Sequence, residues 1–157
     1  MRYSGLQIVF QEIPNEISLA IHFTGCPLKC KGCHSNDLWS PASGYDLDAL
    51  KFDQIVTQYS KYISCVVFMG GEWQLTSLIE MIHVTKKHGK KIALYTGLQF
   101  DEIPQVLINN LDYLKYGPYI PELGGLSSKT TNQRLINLTT NEELNSFFKE
   151  DTNDSLN

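Results

Sequence analysis

The sequence predicts an α/β fold: a partial, open βα barrel of parallel strands, truncated relative to a full eight-stranded (TIM) barrel. Two patterns lead there. Short apolar runs that end in glycine alternate with stretches of helical periodicity, which implies βα units, parallel pairing and right-handed crossovers. Only about four or five such runs are present, too few to close a barrel of eight. At 157 residues, 42% apolar and 19% charged, the chain has the makeup of one globular domain with a real core. That domain is expected over residues 1–140, with residues 141–157 forming a short helix and a polar tail that frays.

The first expected elements are β-rich runs at Ile8 to Phe10 and Ile17 to Phe23, separated by the turn signal Pro14-Asn15, so the chain begins as a hairpin. Ile17, Leu19, Ile21 and Phe23 alternate with Ser18, Ala20 and His22, the period of a strand. Thr24-Gly25 stops it, and a cysteine-rich loop follows. Pro41 to Gly44 is irregular. From about Leu50 to Ile63 the pattern turns helical through Ile55, Val56, Tyr59 and Tyr62, with a cap expected within Ser43 to Asp48 or at Asp53.

Val66, Val67 and Phe68 then read as a buried parallel strand that ends at Met69-Gly70-Gly71. Leu75, Leu78, Ile79 and Ile82 mark a second helix, with Gly89 as its C′ residue. Ile92 to Tyr95 is the next strand and stops at Thr96-Gly97. Asp101 to Leu111 is expected as a helix with Pro104 in its first turn, where a missing N–H does little harm. Tyr113 to Tyr116 is a further strand, broken by Gly117-Pro118. Ile120 to Thr131 reads as loop, Arg134 to Leu138 as a last strand, and Asn141 to Phe148 as a short helix before a fraying Glu150 to Asn157.

Charge narrows the partners. A formal net charge of −4 argues against nucleic acid, because phosphate binding needs clustered Lys and Arg. The one basic cluster, Lys86, Lys87, Lys90 and Lys91, reads as the solvated C-terminal end of a helix. No apolar run approaches the roughly 18–20 residues that span a bilayer, and Met1 to Gly5 opens no signal-peptide core. No membrane association and a cytoplasmic location are therefore expected. Thiols stay reduced there, so the four cysteines are poor disulfide candidates.

Three of those cysteines form Cys26-Pro27-Leu28-Lys29-Cys30-Lys31-Gly32-Cys33, with spacing C-x3-C-x2-C. Thiolates this close can converge on one metal centre, and soft sulfur selects zinc or an iron–sulfur cluster over magnesium or calcium. A structural zinc site wants a fourth ligand, which His34 or Cys65 could supply. Cys65 lies in a strand and reads more simply as a small buried hydrophobe. Three cysteines without a clear fourth partner suit a four-iron cluster with one iron open to a ligand. Spacing alone leaves both metals open.

The C-x3-C-x2-C loop resembles the signature of radical S-adenosylmethionine enzymes, in which three cysteines hold a [4Fe–4S] cluster. Met69-Gly70-Gly71-Glu72, one strand later, looks like that family's glycine-glycine-acid motif. Glycines let backbone approach a ligand closely, and the acid can accept a hydrogen bond from an amino group. A closer resemblance is to the small activating proteins of anaerobic ribonucleoside-triphosphate reductase. It is carried by Ile21 to Trp39, by Leu94-Tyr95-Thr96-Gly97 with Phe100 to Ile103, by Gly117-Pro118-Tyr119, and by Thr131-Asn132-Gln133-Arg134-Leu135.

The resemblance implies a radical S-adenosylmethionine type of partial barrel, and an iron–sulfur enzyme that reductively cleaves S-adenosylmethionine to a 5′-deoxyadenosyl radical. Its radical would pass to a glycine on the large subunit of the reductase, with a low-potential donor such as flavodoxin or ferredoxin supplying the electron. The implied ligands are Cys26, Cys30 and Cys33 for the metal. Gly32, Cys33 and His34 would meet adenine, Gly70, Gly71 and Glu72 the methionine end, and Thr96 the ribose or carboxylate. Asn132 and Arg134 would close the site or meet the partner. Two positions depart from the family: Trp73 replaces a common proline, and His34 replaces a common aromatic. The other readings are the same chemistry on another glycyl-radical enzyme, or a non-enzymatic zinc or electron-transfer module.

Overall fold

The computed structural model describes residues 1–33 and 35–148. Its strands are β1 (Arg2–Val9), β2 (Ser18–Phe23), β3 (Tyr45–Asp46), β4 (Cys65–Met69), β5 (Lys91–Tyr95), β6 (Tyr113–Tyr116), β7 (Arg134–Asn137) and β8 (Glu142–Glu143). The helices are α1 (Ala49–Tyr59), α2 (Leu75–Lys87) and a short α3 (Gln105–Ile108). All eight strands form one sheet in the order β3-β1-β2-β4-β5-β6-β7-β8.

The four middle strands, β2, β4, β5 and β6, pair in parallel. Antiparallel strands extend both edges: β1 and β3 on one side, β7 and β8 on the other. The sheet is therefore mixed and open. Six of its strands fall on runs expected from the sequence; β3 and β8, two residues each, are too short to leave a periodic signal.

The period-two alternation of a strand sends neighbours to opposite faces. Leu19, Ile21 and Phe23 of β2 join Val66, Phe68, Leu94 and Leu114 against Phe52 and Val56 of α1 and Leu78, Met81 and Ile82 of α2. Ala20, Cys65, Val67, Ala93 and Tyr113 face the other way, together with Leu135 of β7, and pack with Ile13 and Leu144. Both faces are buried, so these strands read as continuous apolar runs. Phe68 is fully buried between Phe23 and Phe52, with ring centroids 6.1 and 5.9 Å away.

Local chemistry sets the helix ends. The Asp48 carboxylate accepts a hydrogen bond from the Lys51 N–H at 2.8 Å and caps α1. Gly89, with φ of 63°, turns the chain out of α2, and His88 at its cap meets Asp53 of α1 at 2.8 Å.

Three expectations are corrected. The helix over Asp101 to Leu111 is instead a 3-10 turn (Phe100–Glu102) followed by α3, because Ile103 is extended (ψ 126°) before Pro104. The proline ring clashes with a helical residue before it, so it caps α3 rather than sitting inside a helix. Asn141 to Phe148 is not one short helix: β8 comes first, then a 3-10 turn over Asn145–Phe148. The buried Asn145 side chain causes this. It accepts from the Leu135 N–H and donates to the Gln133 carbonyl, both at 2.8 Å, tying the segment to β7. Of the basic cluster, only Lys86 and Lys87 end α2. Lys90 donates to the carbonyls of Ser60 and Ile63, and Lys91 opens β5 and pairs with Glu16. The tail at Glu150 to Asn157 lies outside the described residues.

Candidate functional site

Parallel strands bring their C-terminal ends to one edge of a sheet, and loops there can build a site from distant residues. A cavity of about 600 Å³ opens at that edge. Cys26, Cys30 and Cys33 line it from the loop after β2, Gly70 and Glu72 from the turn after β4, and Thr96 and Gly97 from the end of β5. Gly71 and Gly32 are not among its lining residues. A Cβ on Gly71 would lie 2.8 Å from the Phe23 ring, and one on Gly32 would lie 3.0 Å from Pro121, so both glycines serve close packing behind the cavity wall. His34 lies outside the described residues.

The cysteine loop is shaped by backbone that few residues adopt. Lys29 and Gly32 have φ of 45° and 73°, and the Cys33 N–H donates to the Cys30 carbonyl at 3.1 Å. Burial pushes the Cys26 thiol up, while N–H groups of Leu28 and Lys29 favour its thiolate. The Ser35 N–H donates to Cys33 Sγ at 3.4 Å. Three soft sulfur donors opening on one cavity are a suitable set for an iron–sulfur cluster. Among the described residues, no three His, Cys, Asp or Glu side chains are grouped as a ready site for a metal ion.

Cys65 is at the other end of its strand. It is the first residue of β4, about 13 Å from the cavity end at four residues of roughly 3.3 Å each. Burial raises its thiol to about 12, as expected of a thiol packed as a small hydrophobe.

The Gly-Gly-Glu turn and the end of β5 meet through side chains. Thr96 Oγ1 donates to Glu72 Oε1 at 2.6 Å and accepts from the Leu98 N–H at 3.0 Å. The second carboxylate oxygen, Glu72 Oε2, is buried without a hydrogen-bond partner among the described residues. Burial pushes the Glu72 carboxyl up, and the Thr96 bond opposes that rise. Gly97 lets this strand end approach the cysteine loop, since a Cβ there would lie 2.7 Å from Leu28 and 4.0 Å from Cys30 Sγ.

Sequence reading missed several lining residues. Lys115, near the end of β6, faces the cavity; burial pulls its ammonium down to about 8, against the opposing pull of Cys30, Cys33 and Glu72. A lysine inside an otherwise apolar strand was the available signal. His22 of β2 also lines the cavity, with its imidazole lowered by burial against the influence of Glu12 and Asp37. Gln133 is buried there too and donates to the Gly117 carbonyl at 3.3 Å.

Asn132 and Arg134, by contrast, do not line the cavity. Asn132 Nδ2 donates to the Pro118 carbonyl at 2.9 Å and holds the turn after β6. Arg134 donates to the carbonyls of Thr131 and Gln133 at 2.8 and 2.9 Å and pairs with Glu143 at 3.2 Å. Trp73 lies over the first glycine of the turn: a Cβ on Gly70 would come within 2.6 Å of its ring.

Among the described residues no helix is long and apolar enough to cross a membrane. The sequence model for a 4Fe-4S single cluster domain matches residues 17–139. A pyruvate formate-lyase-activating enzyme of Clostridium pasteurianum is 31% identical over 87 residues, covering 52% of this chain and 37% of that protein. The chain thus matches little more than a third of that relative's length.

Proposed function

Because the chain belongs to the 4Fe-4S single cluster domain family, we propose that Cys26, Cys30 and Cys33 hold a [4Fe–4S] cluster beside a bound S-adenosylmethionine, and that the protein activates a glycyl-radical enzyme. The observation that carries this reading is one cavity shared by the three thiols and two opposite charges, Glu72 and Lys115. A methionine moiety brings an ammonium and a carboxylate. Glu72 Oε2, buried and without a partner among the described residues, is an acceptor for the first, and Lys115 is a donor for the second.

The chemistry such a cluster supplies when bound is one-electron reduction of the sulfonium, giving methionine and a 5′-deoxyadenosyl radical. The chain's own residues bind and orient. Thr96 fixes one oxygen of Glu72 so that the other faces the ligand. Gly70 and Gly97 let Trp73 and the cysteine loop pack closely against the strand ends that form the cavity wall. Leu28, Leu38, Trp39 and Met69 make part of the lining apolar and so exclude water.

We read the four parallel strands as an open arc of a βα barrel, whose unclosed side admits a loop of a large protein. The preferred acceptor is a glycine on the large subunit of anaerobic ribonucleoside-triphosphate reductase, on the strength of the Leu94 to Gly97, Gly117 to Tyr119 and Thr131 to Leu135 blocks. A flavodoxin or ferredoxin would supply the electron. The second reading, pyruvate formate-lyase as acceptor, is favoured by the name of the Clostridium pasteurianum relative.

The test is electron paramagnetic resonance of the anaerobically reconstituted, reduced protein, before and after S-adenosylmethionine. A cluster signal that moves on addition is the expected result. Zinc instead of iron, or a cluster signal that does not move, would sink the activase reading. Incubation with each candidate partner then separates the two acceptors by which one gains a glycyl-radical signal.

A further inference from the structure

Trp73 holds a buried donor that the described residues leave unused. Among them its indole Nε1 has no hydrogen-bond partner. An indole N–H removed from water normally finds an acceptor, and leaving it unpaired costs free energy. The ring spans two motifs. Its far edge covers Gly70, where an added Cβ would lie 2.6 Å from Cη2 and 2.9 Å from Cζ3. Its Nε1 end lies against Gly25, 3.6 Å from where a Cβ on that residue would stand.

Gly25 directly precedes Cys26, and Trp73 and Cys26 line the same cavity. The Gly25 and Cys26 N–H groups beside Nε1 are themselves donors, to the Leu38 carbonyl at 2.7 and 3.3 Å, so that carbonyl already serves two donors. A ligand held at the cysteine side of the cavity would bring an acceptor to this donor.

Resting on the cluster reading above, we infer that the Trp73 indole N–H donates a hydrogen bond to a sulfur of the cluster held by Cys26, Cys30 and Cys33, and so raises its reduction potential. Electron-rich thiolate and sulfide sulfurs accept such bonds, and a donor there stabilises the reduced, more negative cluster. Trp73 is thereby a positioning and tuning residue rather than a catalytic one. Its size also explains the first glycine of the turn: with the indole in place, no side chain fits at position 70.

The test is a redox titration of the reconstituted cluster, without S-adenosylmethionine, in the native protein and in Trp73→Phe, which keeps an aromatic ring and removes the N–H. At equal iron content the variant's midpoint is expected to move negative by up to about 59 mV, a tenfold change in the one-electron equilibrium. An unmoved midpoint overturns the inference, and does so equally if S-adenosylmethionine binding weakens, since the donor would then serve that ligand. No cluster in the native protein would defeat the cluster reading itself, a distinguishable failure. Should Trp73→Phe not load, native protein carrying 15N-indole is read by pulsed electron paramagnetic resonance in the reduced state. A nitrogen coupling to the cluster is expected, and its absence overturns the inference.

Discussion

Thr96 and Glu72, 24 positions apart in the chain, are joined by a hydrogen bond of 2.6 Å that uses one oxygen of the carboxylate and leaves the other, buried Oε2, without a partner among the described residues. The pairing exists because β4 and β5 are parallel neighbours, with Met69 beside Tyr95, so that their next residues leave the sheet together.

Glu72→Gln keeps the shape of this contact and removes the charge. A hydrogen bond to a charged group contributes about 1.5–3 kcal/mol, so affinity for S-adenosylmethionine is expected to fall roughly 10- to 150-fold. Anaerobic titration calorimetry measures that, and iron content should not change. Equal affinity in the variant would remove Glu72 from the binding site.

Lys115 faces the same cavity from β6, so Lys115→Gln should weaken binding of S-adenosylmethionine by about tenfold or more. Methionine alone, used as a competitor, should lose affinity in parallel, whereas 5′-deoxyadenosine should not. A loss confined to 5′-deoxyadenosine would place Lys115 at the nucleoside end instead.

The four cysteines should divide three to one. Cys26→Ala, Cys30→Ala and Cys33→Ala are each expected to abolish or greatly reduce iron uptake, because each removes one of only three thiolates at the cavity. Cys65→Ala should bind iron normally and lose about 1 kcal/mol of stability through a small buried void. Iron and sulfide analysis after reconstitution separates the two groups.

At the opposite end of the sheet, Glu16 accepts from Lys91 and from the Tyr113 hydroxyl, the latter at 2.9 Å. Burial alone would raise the Glu16 carboxyl, but the bonds from Lys91, Ser64 and Tyr113 outweigh it and hold the carboxyl below its usual range. A depressed carboxyl contributes stability above its unfolded value and loses it as pH falls through the folded one. Denaturant midpoints should therefore drop below about pH 4.5, and Glu16→Gln should flatten that drop. At neutral pH the variant should cost about 1 kcal/mol, since half-exposed Lys91 remains solvated when its partner is removed.

Much of the fold was legible where the signal is local. The apolar runs at Val66 to Phe68, Ile92 to Tyr95 and Tyr113 to Tyr116 became β4, β5 and β6, and the helical period after Leu50 and Leu75 became α1 and α2. Pro104 was misplaced by a few residues because the conflict between a proline and the residue before it competes with apolar spacing that favours a helix. Asn145 could not be foreseen as a clamp, since its partners, Leu135 on β7 and Gln133 just before it, are ten or more positions away.

The sequence by itself determined the cysteine spacing, the glycine turn before Glu72, and the alternation of strands with helices, because each depends on residues a few positions apart. Only the tertiary structure decided that Lys115, His22 and Gln133 face the cavity while Asn132 and Arg134 hold turns outside it. The reason is that a strand has two faces and a sheet an order. Which face meets the site, and which strand end stands beside it, are set by pairing between segments far apart in the chain.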